Sequence, residues 1–173
     1  MTRGWIIFAV LFAAATALYV AIVAWSLPVV SSGADGLLPF DMRPMGYSED
    51  EARTFMLALT PQASEHYRGT QQILDTAYPI LLGCTFALGF WLFLDEWRWA
   101  RWATMLLAVA LTGWDLLENF FVVDMLRSGA LAASADQIER ASFATVMKSI
   151  FTALAWVLLA ILAVLFVRRK FRT

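Results

Sequence analysis

The 173-residue chain has one cysteine, one histidine and five prolines. A lone Cys84 permits no disulfide within the chain and reads as a small core residue, not a redox centre. His66 has no second His or Cys beside it, so a zinc site lacks its ligands, and the side chain reads as solvated. Lys and Arg number 13 against 14 Asp and Glu. The resulting net charge of −1 leaves no global basic surface for nucleic acid. No P-loop, dinucleotide fingerprint, nucleophile elbow or zinc-protease helix occurs, and no cofactor is implied. Only 16% of residues are charged.

What is abundant is apolar surface: 61% hydrophobic residues, with eight Trp and thirteen Phe. Apolar runs of about 20 residues, long enough for a bilayer, fall at 5–27, 73–94, 102–123 and 143–167. The fold class expected is all-α: one integral membrane four-helix bundle whose long first loop, 28–70, carries a short amphipathic helix. The first run exceeds the roughly 7–15 apolar residues of a signal peptide and reads as an uncleaved anchor. Arg3 precedes it, Arg98 and Arg101 lie with Asp95 and Glu96 in the second connection, and Arg168, Arg169, Lys170 and Arg172 follow the last run. The positive-inside rule then puts both termini in the cytoplasm and the first loop outside, in a bacterial inner membrane. Trp5, Trp25, Trp97, Trp99 and Trp102 sit at run ends as an aromatic belt.

Ala9, Ala13, Ala17 and Ala21 form a small-residue stripe for packing within the bundle or between protomers of a homo-oligomer or larger membrane complex. Pro28 is expected to end the first span. In the loop, Ser48 and Glu51 make a capping box for a helix to about Leu59, with Ala52, Phe55, Met56 and Leu59 on one face. Thr60 and Pro61 then read as N-cap and first position of another helix. Within the second run, Pro79 withholds an amide hydrogen from the carbonyl of Asp75, which is left free for another donor. Gly83 and Ala87 give that helix a small face.

Asp115, Glu118 and Asn119, at i, i+3 and i+4, share one face of the third span. Thr145, Lys148, Ser149 and Thr152 form a stripe on the fourth, and Asp75 and Tyr78 lie early in the second. Ionisable groups at membrane depth are costly and mark sites or pathways. Counted from the inner ends at 1.5 Å per residue, Asp115 lies at about 20 Å, Glu118 and Asn119 near 25 Å, and Asp75 and Lys148 at about 28 Å. All belong to the outer half of a core roughly 30 Å thick. The expectation is a polar pocket open to the outside, with Asp115 as floor and Asp75 and Lys148 at the mouth. Asp41, Arg43 and Tyr47 of the loop lie above it, with Arg43 reaching down as a charged lid.

Three carboxylates facing one lysine require a proton, a cation or a cationic ligand. Lys148 opposes a Mg²⁺ or Ca²⁺ site, so no metal is assigned. Glu118, Asp115 and Lys148 are the candidate acid–base or charge-setting groups, with Asn119 orienting the acids. Asp75, Tyr78, Asp41, Arg43 and Tyr47 are candidates for holding a ligand. The leading reading is binding, with turnover as an extension, of a lipid or amphipathic small molecule. The alternatives are a non-catalytic subunit with a structural polar core, and an ion or proton path in an oligomer. Met105, Leu106, Leu107, Val109 and Leu111 below Asp115 oppose the path.

The succession Phe40-Asp41-Met42-Arg43-Pro44-Met45-Gly46-Tyr47, Leu74-Asp75-Thr76-Ala77-Tyr78-Pro79 and Asp115-Leu116-Leu117-Glu118-Asn119 resembles that of small bacterial four-span inner-membrane proteins of unassigned function. The layout is also similar, at the level of fold, to the sterol-isomerase and sigma-2-receptor superfamily. That likeness implies a comparable bundle with acidic residues in a pocket for amphiphilic amines or sterols.

Overall fold

The computed structural model describes residues 3–94 and 97–170, the last without its side chain. Asp95 and Glu96 of the second connection, and Arg172 of the basic tail, lie outside the described residues. Four helices are long and apolar enough to cross a membrane: Arg3–Ser32, Pro61–Phe93, Arg98–Ser128 and Ala135–Arg169. They are called the first to fourth spans below. No strand occurs among the described residues.

Each span outruns its apolar stretch by five residues or more at the end away from the termini. Pro28 does not stop the first helix, which continues to Ser32. One turn before the proline the helix widens, and the Leu27 amide bonds the Ile22 carbonyl five residues back. A matching wide turn, Tyr67–Gln71, lies in the second span. That span starts at Pro61, with the Thr60 hydroxyl accepting from the Ala63 amide. The expected 28–70 loop is therefore shorter. It holds the helix Glu49–Ala58, capped reciprocally by Ser48 and Glu51 as its sequence requires. A second box starts the fourth span: the Ser134 amide donates to Gln137 Oε1, and the Gln137 amide to Ser134 Oγ.

Contacts at the two ends of the bundle set the topology. Trp5 packs on Phe93 at 5.1 Å and on Phe166 at 5.3 Å, so the N-terminus, the end of the second span and the end of the fourth share one side. On the opposite side the Thr60 amide donates to the Gly33 carbonyl at 2.7 Å. There, too, the Arg53 guanidinium bonds the carbonyls of Ala130 and Ala133 and pins the loop helix to the third connection. The spans run alternately up and down. The third packs chiefly on the second and fourth, and the first on the second.

Two apolar cores result. The inner one gathers Leu82, Phe86, Phe90, Ala108, Leu111, Ala155 and Leu159. The outer one joins loop residues Phe40, Tyr47, Phe55 and Met56 to Tyr67, Val122, Met125, Ile138 and Ala141. The amphipathic face of Glu49–Ala58 therefore lies on the bundle, and Phe40 and Phe55 are wholly buried. Between the second and third spans Gly83 permits a close approach: a Cβ there would collide with Thr112 Oγ1. Outward-facing positions include Val10, Ile73, Leu106, Val109 and Phe120, an apolar exterior suited to lipid. Cys84 and most of the Ala9–Ala21 stripe also face outward, so neither belongs to the core.

Candidate functional site

Between the two cores lies a layer of charge. Lys148 Nζ is paired with Glu118 Oε2, and stands 3.8 Å from Asp41 Oδ1 and 3.9 Å from Asp115 Oδ1. Three carboxylates, from the first loop and two turns of the third span, thus share one ammonium on the fourth. The spacing explains the convergence: Asp115 and Glu118 are three residues apart and face the same neighbour, while Thr145 and Lys148 are likewise three apart. Thr145 Oγ1 donates to Glu118 Oε1 at 2.6 Å, so both Glu118 oxygens are engaged from the fourth span.

The loop completes the layer from above. Asp41 lies in a short turn, Phe40–Met42, and its Oδ2 accepts from the Tyr67 hydroxyl at 2.6 Å. The same Tyr67 oxygen accepts the Phe40 amide at 3.2 Å. At the far end of this strap the Tyr47 amide donates to Ser142 Oγ at 2.8 Å. Gly46 makes that seat possible, with φ +81 and no room for a Cβ, which would meet Ser142 Oγ at 2.7 Å. Burial pushes the Tyr47 phenol up from its ordinary pKa, and the negative charge of Glu118 adds to this. The phenol therefore stays neutral at physiological pH.

This roof corrects the expected open mouth. Side-chain exposure is 0% at Glu118, 9% at Asp41, 10% at Asp115 and 15% at Lys148. Phe40, Tyr47 and Tyr67 fill the space above, so the route from the loop side is closed.

Of the nine site residues expected from the sequence, Asp115, Glu118, Lys148 and Asp41 meet directly. Tyr47 closes the roof. Arg43 does not reach down. Its Nε and Nη2 donate to the Leu38 carbonyl at 3.0 and 2.7 Å, and its guanidinium lies 5.6 Å from the Phe40 and Phe55 rings. The loop sends its acid inward and keeps its cation over the aromatics. Asn119 does not orient the acids either. Its Nδ2 donates at 2.5 Å to the Asp75 carbonyl, the group that Pro79 releases. It bonds helix to helix. The Asp75 carboxylate accepts from Gln71 Nε2 at 2.6 Å and sits beside the layer. Tyr78 lies lower, its ring 5.7 Å from that of Tyr19.

Sequence reasoning missed Tyr67 and misread His66. Tyr67, Gln71 and Asp75 recur every four residues, a helical signal visible once the second span is started at Pro61. His66 is half-buried rather than free in solvent: its Nε2 bonds Ser26 Oγ at 2.8 Å, joining the first and second spans at their wide turns. Among the described residues no group of three or more His, Cys, Asp or Glu is arranged to hold a metal ion. The layer is an ammonium site, and its cation is a side chain.

No family model, no curated protein and no solved structure matches the chain.

Proposed function

We propose that this is a multi-pass protein of a bacterial inner membrane, with both termini cytoplasmic, that binds a lipid or amphipathic small molecule at the Lys148 layer. One observation carries the reading: three carboxylates share a single ammonium inside an apolar bundle. A buried ion pair alone is weak evidence of function, because it adds little stability over apolar packing. An excess of acid is different, since it adds repulsion that packing does not require. Carboxylates kept out of water between two cores are equipped to hold a polar headgroup and to exchange a proton with it. Asp115 and Glu118 are the groups for that exchange, and Lys148 sets their charge. The orientation rests on Arg3, Arg98, Arg101, Arg168 and Arg169 all lying at the terminal side. The inner core, with Phe86, Phe90 and Leu111 fully buried below the layer, is the feature that disfavours a through-path for ions.

The test is stabilisation by ligand in purified protein. Total polar lipid extract of the host membrane should raise the melting temperature of the wild type by mass action. Glu118→Gln is nearly isosteric and keeps a hydrogen-bonding partner for Thr145, so it should stay folded and lose that rise. A folded Glu118→Gln protein that responds like the wild type sinks the assignment and favours a purely structural layer.

A further inference from the structure

We propose that the crevice between the first and fourth spans is a lateral binding site for a single-chain amphiphile with an uncharged hydrogen-bonding neck, such as a monoacylglycerol. This deepens the function proposed above and rests on it in one respect: the molecule's outer end lies at the Lys148 layer. The two spans touch through aromatic side chains towards the terminal side, Trp5 on Phe166 at 5.3 Å and Phe12 on Trp156 at 6.2 Å. Beyond Trp156 they leave a cavity of about 400 Å³ with the second span as its back wall. That size lies in the range of small-molecule sites.

The cavity is graded along the membrane normal. Its inner part holds Phe12, Leu82 and Trp156 with Thr16 and Thr85, whose hydroxyls are spent on their own helix carbonyls, and its outer part carries Tyr19, Tyr78 and Thr152. Lys148 lies one turn further out than Thr152, and Asp75 one turn further out than Tyr78. An apolar floor, a hydroxyl neck and a charged layer follow one another as the parts of an amphiphile do. No charged residue is among the described lining residues, which sets the neck as uncharged.

Thr152 supplies the independent sign of a ligand. Thr16, Thr76, Thr85, Thr112 and Ser149 each return their hydroxyl to the carbonyl four residues back, and Thr145 gives its hydroxyl to Glu118. The Thr152 hydroxyl does not, and it is buried without a partner. A buried hydroxyl left unpaired is costly and calls for an explanation. A neck oxygen provides one when the Thr152 side chain, which lines the cavity, turns its buried hydroxyl towards it.

The experiment uses the full chain in lipid nanodiscs and a monoacylglycerol carrying a diazirine near its ester. After irradiation, the expected labels are on Tyr19, Tyr78 and Thr152 to Trp156, displaced by unlabelled monoacylglycerol and not by hexadecane. Thr152→Val preserves shape and removes the hydroxyl, so half-saturation should weaken roughly fivefold, the worth of one hydrogen bond. Labelling spread over outward positions such as Val10, Leu106 and Val109, with no effect of Thr152→Val, overturns the proposal. Crevice labelling that is unchanged by Glu118→Gln upholds it and counts instead against the role given to the charged layer.

Discussion

Asn119 and Pro79 show how a residue that breaks a rule is answered by one that repairs it. Proline withholds the hydrogen that the Asp75 carbonyl would accept, and the Asn119 amide replaces it from the next helix. Asn119→Ala should therefore cost about 1–3 kcal/mol, the penalty of a buried unpaired carbonyl. In a Pro79→Ala background, where the backbone amide is restored, the same change should cost much less; equal losses in a double-mutant cycle would show the two residues to be uncoupled. Lys148 is the other hinge of the account. Lys148→Met strands three carboxylates and should destabilise by about 3–5 kcal/mol, with part of the loss recovered on adding Glu118→Gln. Denaturant titration of both proteins in detergent measures this. Residue by residue, the third carboxylate beside Lys148 is Asp41 where Asp75 was expected, whereas the freed carbonyl and the approach of Asp115 and Glu118 were legible from spacing alone. The destination of Asn119 was not, because helix periodicity tells which residues share a face and is silent on which neighbour faces them.

At the scale of elements, caps were the most readable features and boundaries the least. Ser48, Glu51, Thr60 and Pro61 sit where their chemistry demands. The Ser48 amide, and then its hydroxyl, hold the Glu51 carboxyl below its ordinary pKa. A depressed acid contributes stability above its unfolded pKa and loses it as pH falls through the folded value. Acidification should thus lower the melting temperature of the wild type slightly more than that of Glu51→Gln, which gains nothing from ionisation. The spans were read short because an apolar run stops at the first charged residue, whereas these helices continue into turns that pack on the loop. Pro28 misled for a related reason, since the wide turn before it lets the helix carry on. Gly83 gives the sharpest test of helix packing. Gly83→Ala should destabilise by about 1–3 kcal/mol through overpacking against Thr112, and Thr112→Ala should recover part of it.

For the whole molecule, four apolar runs sufficed to read a helical bundle, and charge placement sufficed to propose its orientation. The roof could not be read, because it depends on where Phe40 and Tyr47 insert, a tertiary outcome without a period in the sequence. Orientation is checked in a Cys84→Ala background. Met45→Cys, in the loop, should react with a membrane-impermeant maleimide added to intact cells, and Trp99→Cys only after lysis. The central claim is that the charged layer holds a lipid or amphiphile, and native mass spectrometry of the wild type released from lipid nanodiscs tests it most directly. The account predicts the 19.4 kDa chain with one retained lipid-like adduct, lost in Glu118→Gln. A bare chain in the wild type, or an adduct held equally by both proteins, would contradict it.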